Sequence, residues 1–300
     1  MVYQEFKQHI IHTLQKELGN NAKIDISDII KNNGIHLDGL TILSEASNCS
    51  PTIYLNHYFE QFAHGRPLPK ICQEILKVCR ETLPCSNIDV SFFTDYDRMK
   101  SNLICKLIHY EKNKELLSDI PHFRFLDLAI VFCCLMRSDF PGNGTILIKK
   151  SHLDFWNITP DDLYAHALKN TPLLLPQHLF GISDILSELC TIQNMDLSDI
   201  EKEASNNCPM FILTNTSRVN GAVCMLYPNL LAKIAKHFGS DLFILPSSIH
   251  EVILIPADKK TTCEDLSRMV REVNGSQLAP EEILSDHAYY FCMESGKITM

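Results

Sequence analysis

Residues Asp241 to Asp258 read DLFILPSSIHEVILIPAD: two apolar runs, Leu242–Leu245 and Val252–Ile255, around a polar insert from Pro246 to Glu251. Four-residue apolar runs bounded by Pro, Ser and Asp read as buried strands. The insert is then a connection at the edge of a core sheet, and it carries Ser247, Ser248, His250 and Glu251, the densest group of reactive side chains in the chain. Serine becomes nucleophilic beside a base that a carboxylate orients, and all three types fall within five residues here. Against a hydrolase reading, triads assemble from distant segments, successive strand residues point to opposite faces, and neither GxSxG nor HExxH occurs. The competing role is a polar turn whose hydroxyls and imidazole satisfy strand-end backbone groups, and this is the role expected. If alternation continues through the insert, Ser248 and His250 share one face. Ile249 then anchors inward, and His250 turns outward to bond a backbone carbonyl.

Three hundred residues at 45% apolar composition suit one large or two smaller domains with a sizeable core. A net charge of −9 argues against nucleic acid as a partner, since phosphate binding rests on Lys and Arg. The tight basic pairs Lys149-Lys150 and Lys259-Lys260 are expected to end strands at solvated loops. The start, MVYQEFKQHIIHTLQKELG, lacks an apolar signal region, and no apolar run reaches the roughly 20 residues that span a bilayer. No membrane association is expected, and the cytoplasm is the expected compartment. The twelve cysteines are then expected to be reduced and mostly packed as small hydrophobes, Cys72, Cys79, Cys105, Cys133, Cys224 and Cys292 among them. No CxxC occurs, and His9 and His12 lack a visible third ligand, so no metal is expected. Pro141-Gly142-Asn143-Gly144 reads as a turn rather than a phosphate-cradling loop, so no cofactor is expected.

Outward from the opening stretch, helical spacing predicts helices over Tyr3–Leu18, closed by Gly19, and over Leu68–Leu83. HYFEQFAHG and Pro228–Phe238 read the same way, and Thr262 caps a helix from Cys263 to about Val273. Thr159-Pro160-Asp161-Asp162 opens a helix running to about Lys169, and a further helix is expected over Pro176–Leu189. Strands are expected in KIDISDII, Pro51–Asn56, Ile88–Phe93, Leu103–Tyr110, Phe123–Met136 and Thr145–Lys149. The Phe123–Met136 run is long enough to bend near Asp127. That aspartate is either a buried functional carboxylate or, as expected, a strand-entrance residue. IHLDGLTIL reads as a hairpin or two short strands about Asp38-Gly39. Met210–Thr214 and Ala222–Tyr227 read as strands joined through Asn220-Gly221, and Ala288–Met293 with Lys297–Thr299 as a last hairpin. The polar stretch Asn194–Asn207 reads as a linker.

The order DLAIVF, TILI, TPDDL recurs as DLFILP, VILI, TCEDL, at offsets of 114, 107 and 103 residues. Duplication and chance recurrence of strand and cap chemistry both explain this drift. The fold class expected is α+β, antiparallel sheets with packed helices; a true duplication would make it two related β-β-α lobes plus a mostly helical N-terminal region. The divisions expected are a helix-rich region over 1–86, a central lobe over 87–193 and a C-terminal lobe over 208–300, with one compact unit as the alternative.

PTIYLN with its following helix, NKELLSDIPHFRFLDLAIVF, SRVNGAVCMLY and DLFILPSSIHEVILIPAD together resemble an uncharacterised bacterial family, domain-of-unknown-function family 5688, found mainly in anaerobic gut Firmicutes. The ILPSS-x-HE string is also similar to one in a second uncharacterised family of the 1444 type. Neither resemblance implies an activity. The function expected is a non-enzymatic interaction or regulatory protein with a protein partner. The alternative is a hydrolase-like enzyme using Ser247, Ser248, His250 and Glu251.

Overall fold

A computed structural model describes residues 1–19, 22–43, 52–82, 91–136, 144–181, 210–246 and 248–300. The chain divides into two units. The first comprises Met1–Lys31 and Ile35–Phe92, the second Asn32–Gly34 and Phe93–Met300.

In the first unit, helix α1 (Tyr3–Leu18) buries Phe6, Ile10 and Leu14, one side chain per turn along a stripe. Gly19, at φ 76°, ends it, and its N–H donates to the Gln15 carbonyl at 3.1 Å. Strands β1 (Lys23–Ile30) and β2 (His36–Leu43) pair antiparallel throughout, and β3 (Thr52–Tyr54) adds to β2. The reading of IHLDGLTIL as a hairpin is corrected: it is one strand, and Asp38-Gly39 lies in its middle. A Cβ on Gly39 would sit 2.7 Å from both Ile29 Cγ1 and Thr52 Cγ2, so the glycine serves close strand approach rather than a turn. Helices α2 (Leu55–Ala63) and α3 (Leu68–Thr82) close the core, α3 through Ile71, Cys72, Ile75, Leu76 and Cys79.

Ser91–Thr94 form a 3₁₀ turn where Ile88–Phe93 was expected as a strand, and residues 88–90 lie outside the described residues. In the second unit, Asp95 caps α4 (Tyr96–Met99) by accepting from the Asp97 and Arg98 N–H groups. Strand β4 (Leu103–His109) and helix α5 (Lys114–Asp119) precede β5 (His122–Phe125), β6 (Leu128–Met136) and β7 (Gly144–Leu147). Strand β6, buried from Leu128 to Leu135, pairs antiparallel with β4 along one edge and with β5 then β7 along the other. The expected bend at Asp127 is a full reversal, with Leu126 at φ 55°. Helix α6 (Lys150–Trp156) leads to α7 (Pro160–Leu174), which outruns the expected end at Lys169 and contains Pro172. The proline falls in the last turn. One residue before it, buried Thr171 donates its hydroxyl to the Ala167 carbonyl at 2.5 Å and accepts the Cys105 N–H at 3.0 Å.

The remaining elements are β8 (Gln177–Gly181), β9 (Phe211–Asn215), α8 (Leu230–Phe238), β10 (Leu242–Leu245), β11 (Val252–Pro256), α9 (Cys263–Ser276), β12 (Tyr289–Cys292) and β13 (Lys297–Thr299). Their strands form one antiparallel sheet in the order β13-β12-β10-β11-β9-β8. Two expectations are corrected. Ala222–Tyr227 is no strand: Gly221–Leu226 coil into a 3₁₀ segment, and Ala222 to Met225 are all buried. Continuous apolar sequence marks burial without marking period. Pro176–Leu189 is no helix at its start, because Gln177–Gly181 pairs with Phe211–Asn215. Residues 182–189, the linker Asn194–Asn207 and the turn Pro141–Asn143 lie outside the described residues.

The fold is α+β with three antiparallel sheets among the described residues. Helix α9 covers one face of the large sheet over β10 and β11, packing Leu266 and Val270 on Phe243, Leu245 and Ile255. Helix α8 lies on the opposite face, its Phe238 ring stacked on Phe211 at 4.5 Å. The repeated sequence order forms matching parts: β6–β7 and β10–β11 are both antiparallel pairs. The caps of α7 and α9 also agree, Thr159 to Asp162 and Thr262 to Asp265 each at 2.6 Å. Helix α6 has no counterpart between β11 and α9.

Candidate functional site

The connection between β10 and β11 is ordered by backbone pairing on two sides. The Ile249 N–H donates to the Glu282 carbonyl at 2.9 Å, and the Ser285 N–H donates to the Pro246 carbonyl at 3.0 Å. Ser248 makes a β-bridge with Ile283. On the other side the Ala222 N–H donates to the Ile249 carbonyl at 3.2 Å. Ser247 lies outside the described residues. Ser248, 2% exposed, accepts the backbone N–H of His250 on its hydroxyl oxygen at 3.0 Å. The inward residue is therefore Ser248 rather than Ile249, which is only half-buried. His250 accepts the Asn220 N–H on Nδ1 at 3.3 Å, and its Nε2 lies 3.8 Å from Glu282 Oε1. Its partner is thus a backbone donor rather than the carbonyl expected. The Ser248 hydroxyl faces backbone rather than the imidazole.

Against this connection packs the loop Asn215–Gly221, legible in the sequence only through its Asn220-Gly221 turn. Buried Asn215 holds it: Nδ2 donates to the Val219 carbonyl at 2.9 Å, and Oδ1 accepts from the Ser217 N–H and hydroxyl at 3.0 and 2.8 Å. The Arg218 N–H donates to the Asn215 carbonyl at 3.0 Å. Arg218 and Asn220 both occupy the left-handed region, at φ 54° and 52°. Such backbone costs an arginine about 1 kcal/mol and persists only where surrounding bonds over-determine it. Gly221 seals the junction. A Cβ there would lie 2.1 Å from Thr214 Oγ1 and 2.5 Å from the His250 carbonyl, which accepts the Thr214 hydroxyl at 2.7 Å.

Beside the junction lies a cavity of about 240 Å³, lined by Phe180, Ile212, Thr214, Arg218, Glu251 and Ile253. Phe180, Ile212 and Ile253 are cross-strand neighbours on β8, β9 and β11. They extend the sheet face that α9 covers further along. Arg218 reaches over the Phe180 ring, 5.6 Å from its centroid. Neither the Arg218 guanidinium nor the Glu251 carboxylate has a hydrogen bond or ion pair among the described residues. Ser217, Val219 and Asn220 of the same loop line a second cavity, of about 220 Å³, with Ile104, Leu135, Thr145 and Leu175.

Asp127 makes its contacts elsewhere. Its carboxylate accepts the Ser285 hydroxyl at 2.7 Å and the Tyr289 hydroxyl, fastening the β5–β6 turn to the chain entering β12. Ser285 and Tyr289 are fully buried; burial, and then the Asp127 charge, hold the Tyr289 phenol far above its ordinary pKa. Ser285 also accepts the His287 N–H, so this knot is a satisfied structural network.

Among the described residues no group of three His, Cys, Asp or Glu could hold a metal ion, and no helix is long and apolar enough to cross a membrane. His9 lines a groove of about 770 Å³ between α1 and α3, with Glu17, Cys72 and Arg80. The described cysteines carry free thiols. Burial pushes Cys134 and Cys224 up to about 12 and Cys105 up to about 11. Cys292, expected to be buried, is half-exposed, and the Ser295 hydroxyl draws its pKa down.

Arg218, Phe180, Asn215 and Glu282 were not singled out from the sequence. The legible signal was Asn220-Gly221, whose turn chemistry located the loop without revealing its neighbours. No curated protein and no solved structure matches the chain. One family model, described as a family of unknown function (DUF5688), matches residues 3–293, and the chain belongs to that family.

Proposed function

We propose that this is a non-enzymatic interaction or regulatory protein of the cytoplasm. Its binding surface is the cavity between Arg218 and Glu251 and the Phe180–Ile212–Ile253 row beside it. The observation that carries this reading is the division of labour at the junction. The side chains a hydrolase would need, Ser248 and His250, serve the backbone of the connection and its neighbouring loop. Arg218 and Glu251 instead keep their charged ends for an incoming group, at the edge of the apolar Phe180–Ile212–Ile253 row.

The test compares wild type with Arg218→Gln and Glu251→Gln in affinity capture from a native lysate, alongside melting temperatures. Partners lost from both variants at unchanged melting temperature support the reading. Partner capture indifferent to both sinks it. Hydrolysis of an activated ester that His250→Ala abolishes would instead favour the hydrolase-like alternative built on Ser247, Ser248, His250 and Glu251.

A further inference from the structure

We infer that the cavity at Arg218 and Glu251 takes a small zwitterion with an apolar side chain, of the class of a free apolar α-amino acid. The inference rests on the interaction reading above and specifies what the surface receives. Size comes first. About 240 Å³ is below the roughly 300–1,000 Å³ of sites for drug-sized ligands. At about 30 Å³ per water it equals roughly eight waters, enough for a ligand of about ten non-hydrogen atoms.

Charge selects within that size. The lining carries one guanidinium and one carboxylate, unpaired with each other. A ligand bearing a carboxylate and an ammonium can meet both, the first through the planar fork that arginine offers carboxylates. A purely anionic or cationic ligand would meet one charge of its own sign. The lining between them is Phe180, Ile212 and Ile253, with the Thr214 hydroxyl committed to the His250 carbonyl. The body of the ligand is therefore apolar.

Pre-organisation supports a site rather than an accidental hollow. Arg218 stands on left-handed backbone in a loop fixed by four hydrogen bonds from or to buried Asn215, and Glu251 ends a connection paired on both sides. Neither charge has to be ordered from a mobile segment when the ligand arrives, which removes part of the usual entropic cost of binding.

Isothermal titration calorimetry on the full chain tests the inference with L-leucine, L-phenylalanine, 4-methylpentanoate, 3-methylbutylamine and glycine. The expected result is one-to-one binding of L-leucine or L-phenylalanine, with each analogue lacking one charge or the side chain weaker by at least about tenfold. Arg218→Gln should abolish the preference over the amine, and Glu251→Gln the preference over the acid. Arg218→Lys serves if the glutamine variant melts lower: it keeps the charge and loses the fork. No binding of either amino acid at millimolar concentration overturns the inference, as does binding that ignores all three variants. Failure of the amino acids while partner capture still depends on Arg218 and Glu251 removes the ligand class and leaves the interaction reading standing. Amino-acid binding without any such dependence of capture does the reverse.

Discussion

Gly221→Ala should destabilise the protein strongly, although one methyl group is all it adds. The added carbon would lie 2.1 Å from Thr214 Oγ1, 2.5 Å from the His250 carbonyl oxygen and 2.8 Å from the Asn215 nitrogen. Two of these three atoms are backbone, so they yield only if the connection or β9 shifts. Thr214 could rotate away, but it is 2% exposed, and rotation gives up its 2.7 Å hydrogen bond to His250. Overpacking of this kind costs about 1–3 kcal/mol, and a buried hydroxyl left without its partner costs about 1–3 kcal/mol. The smaller backbone entropy of unfolded alanine offsets about 0.4–1 kcal/mol. The net expectation is a loss of about 2–4 kcal/mol, on the order of 4–16 °C in melting temperature for a unit of this size. Urea titration is the assay, read as a lower midpoint at unchanged slope. Gly275→Ala is the control: it sits in α9 with nothing within 4 Å of its Cβ, and should be neutral or stabilise by a few tenths of a kcal/mol. A Gly221→Ala loss below about 0.5 kcal/mol would refute the reasoning.

Asp127→Ala leaves the Ser285 and Tyr289 hydroxyls buried without their acceptor and should cost about 2–5 kcal/mol. In a double-mutant cycle Tyr289→Phe should then cost much less in the Asp127→Ala background than in wild type, and strict additivity would contradict the shared bond. His109 is held below its ordinary pKa by burial, despite nearby Asp127, Asp286 and Glu111, with Lys112 acting in the same direction as burial. The unfolded chain therefore binds a proton that the folded chain resists, and stability should fall as pH drops below about 6.5. His109→Asn should flatten the fall in urea midpoint between pH 7 and pH 5.5, as read by parallel titrations; equal slopes would rule His109 out. Among the described cysteines Cys292 should label first with a maleimide, ahead of Cys105, Cys134 and Cys224, when peptides are mapped by mass spectrometry.

What was legible in the sequence depended on whether a local pattern faced one partner or several. Helices α1, α3, α8 and α9 each bury one stripe, and Gly19, Gly239 and Thr262 mark an end of α1, α8 and α9 by local chemistry, so local pattern alone located them. The β10–β11 pair was equally plain, because Pro246 and the polar insert interrupt an apolar run at the right length for a short connection. Ala222–Met225 defeated the same reasoning, since the segment is buried on every side and carries no period. Gln177–Gly181 failed differently: its strand state comes from Phe211–Asn215, some thirty residues along the chain. The candidate site inherits that failure. His250 and Glu251 could be named from their connection, but the Phe180 and Arg218 that give Glu251 a cavity stand on elements whose pairing no local pattern announces.

The strand order of the large sheet also has a temporal side. Strands β10 and β11 sit at its centre, and β9 can join only along β11. A ribosome delivers β8 and β9 first, so this antiparallel pair waits roughly forty residues for the strand that anchors it. At roughly 5–20 residues per second that interval is about 2–8 s. During it Ile212 and Leu213 face solvent or a chaperone, and the chain is most open to wrong association. The wait ends when Val252–Pro256 clears the exit tunnel. A pause in translation just before that point lengthens the exposure, and one just after it does not.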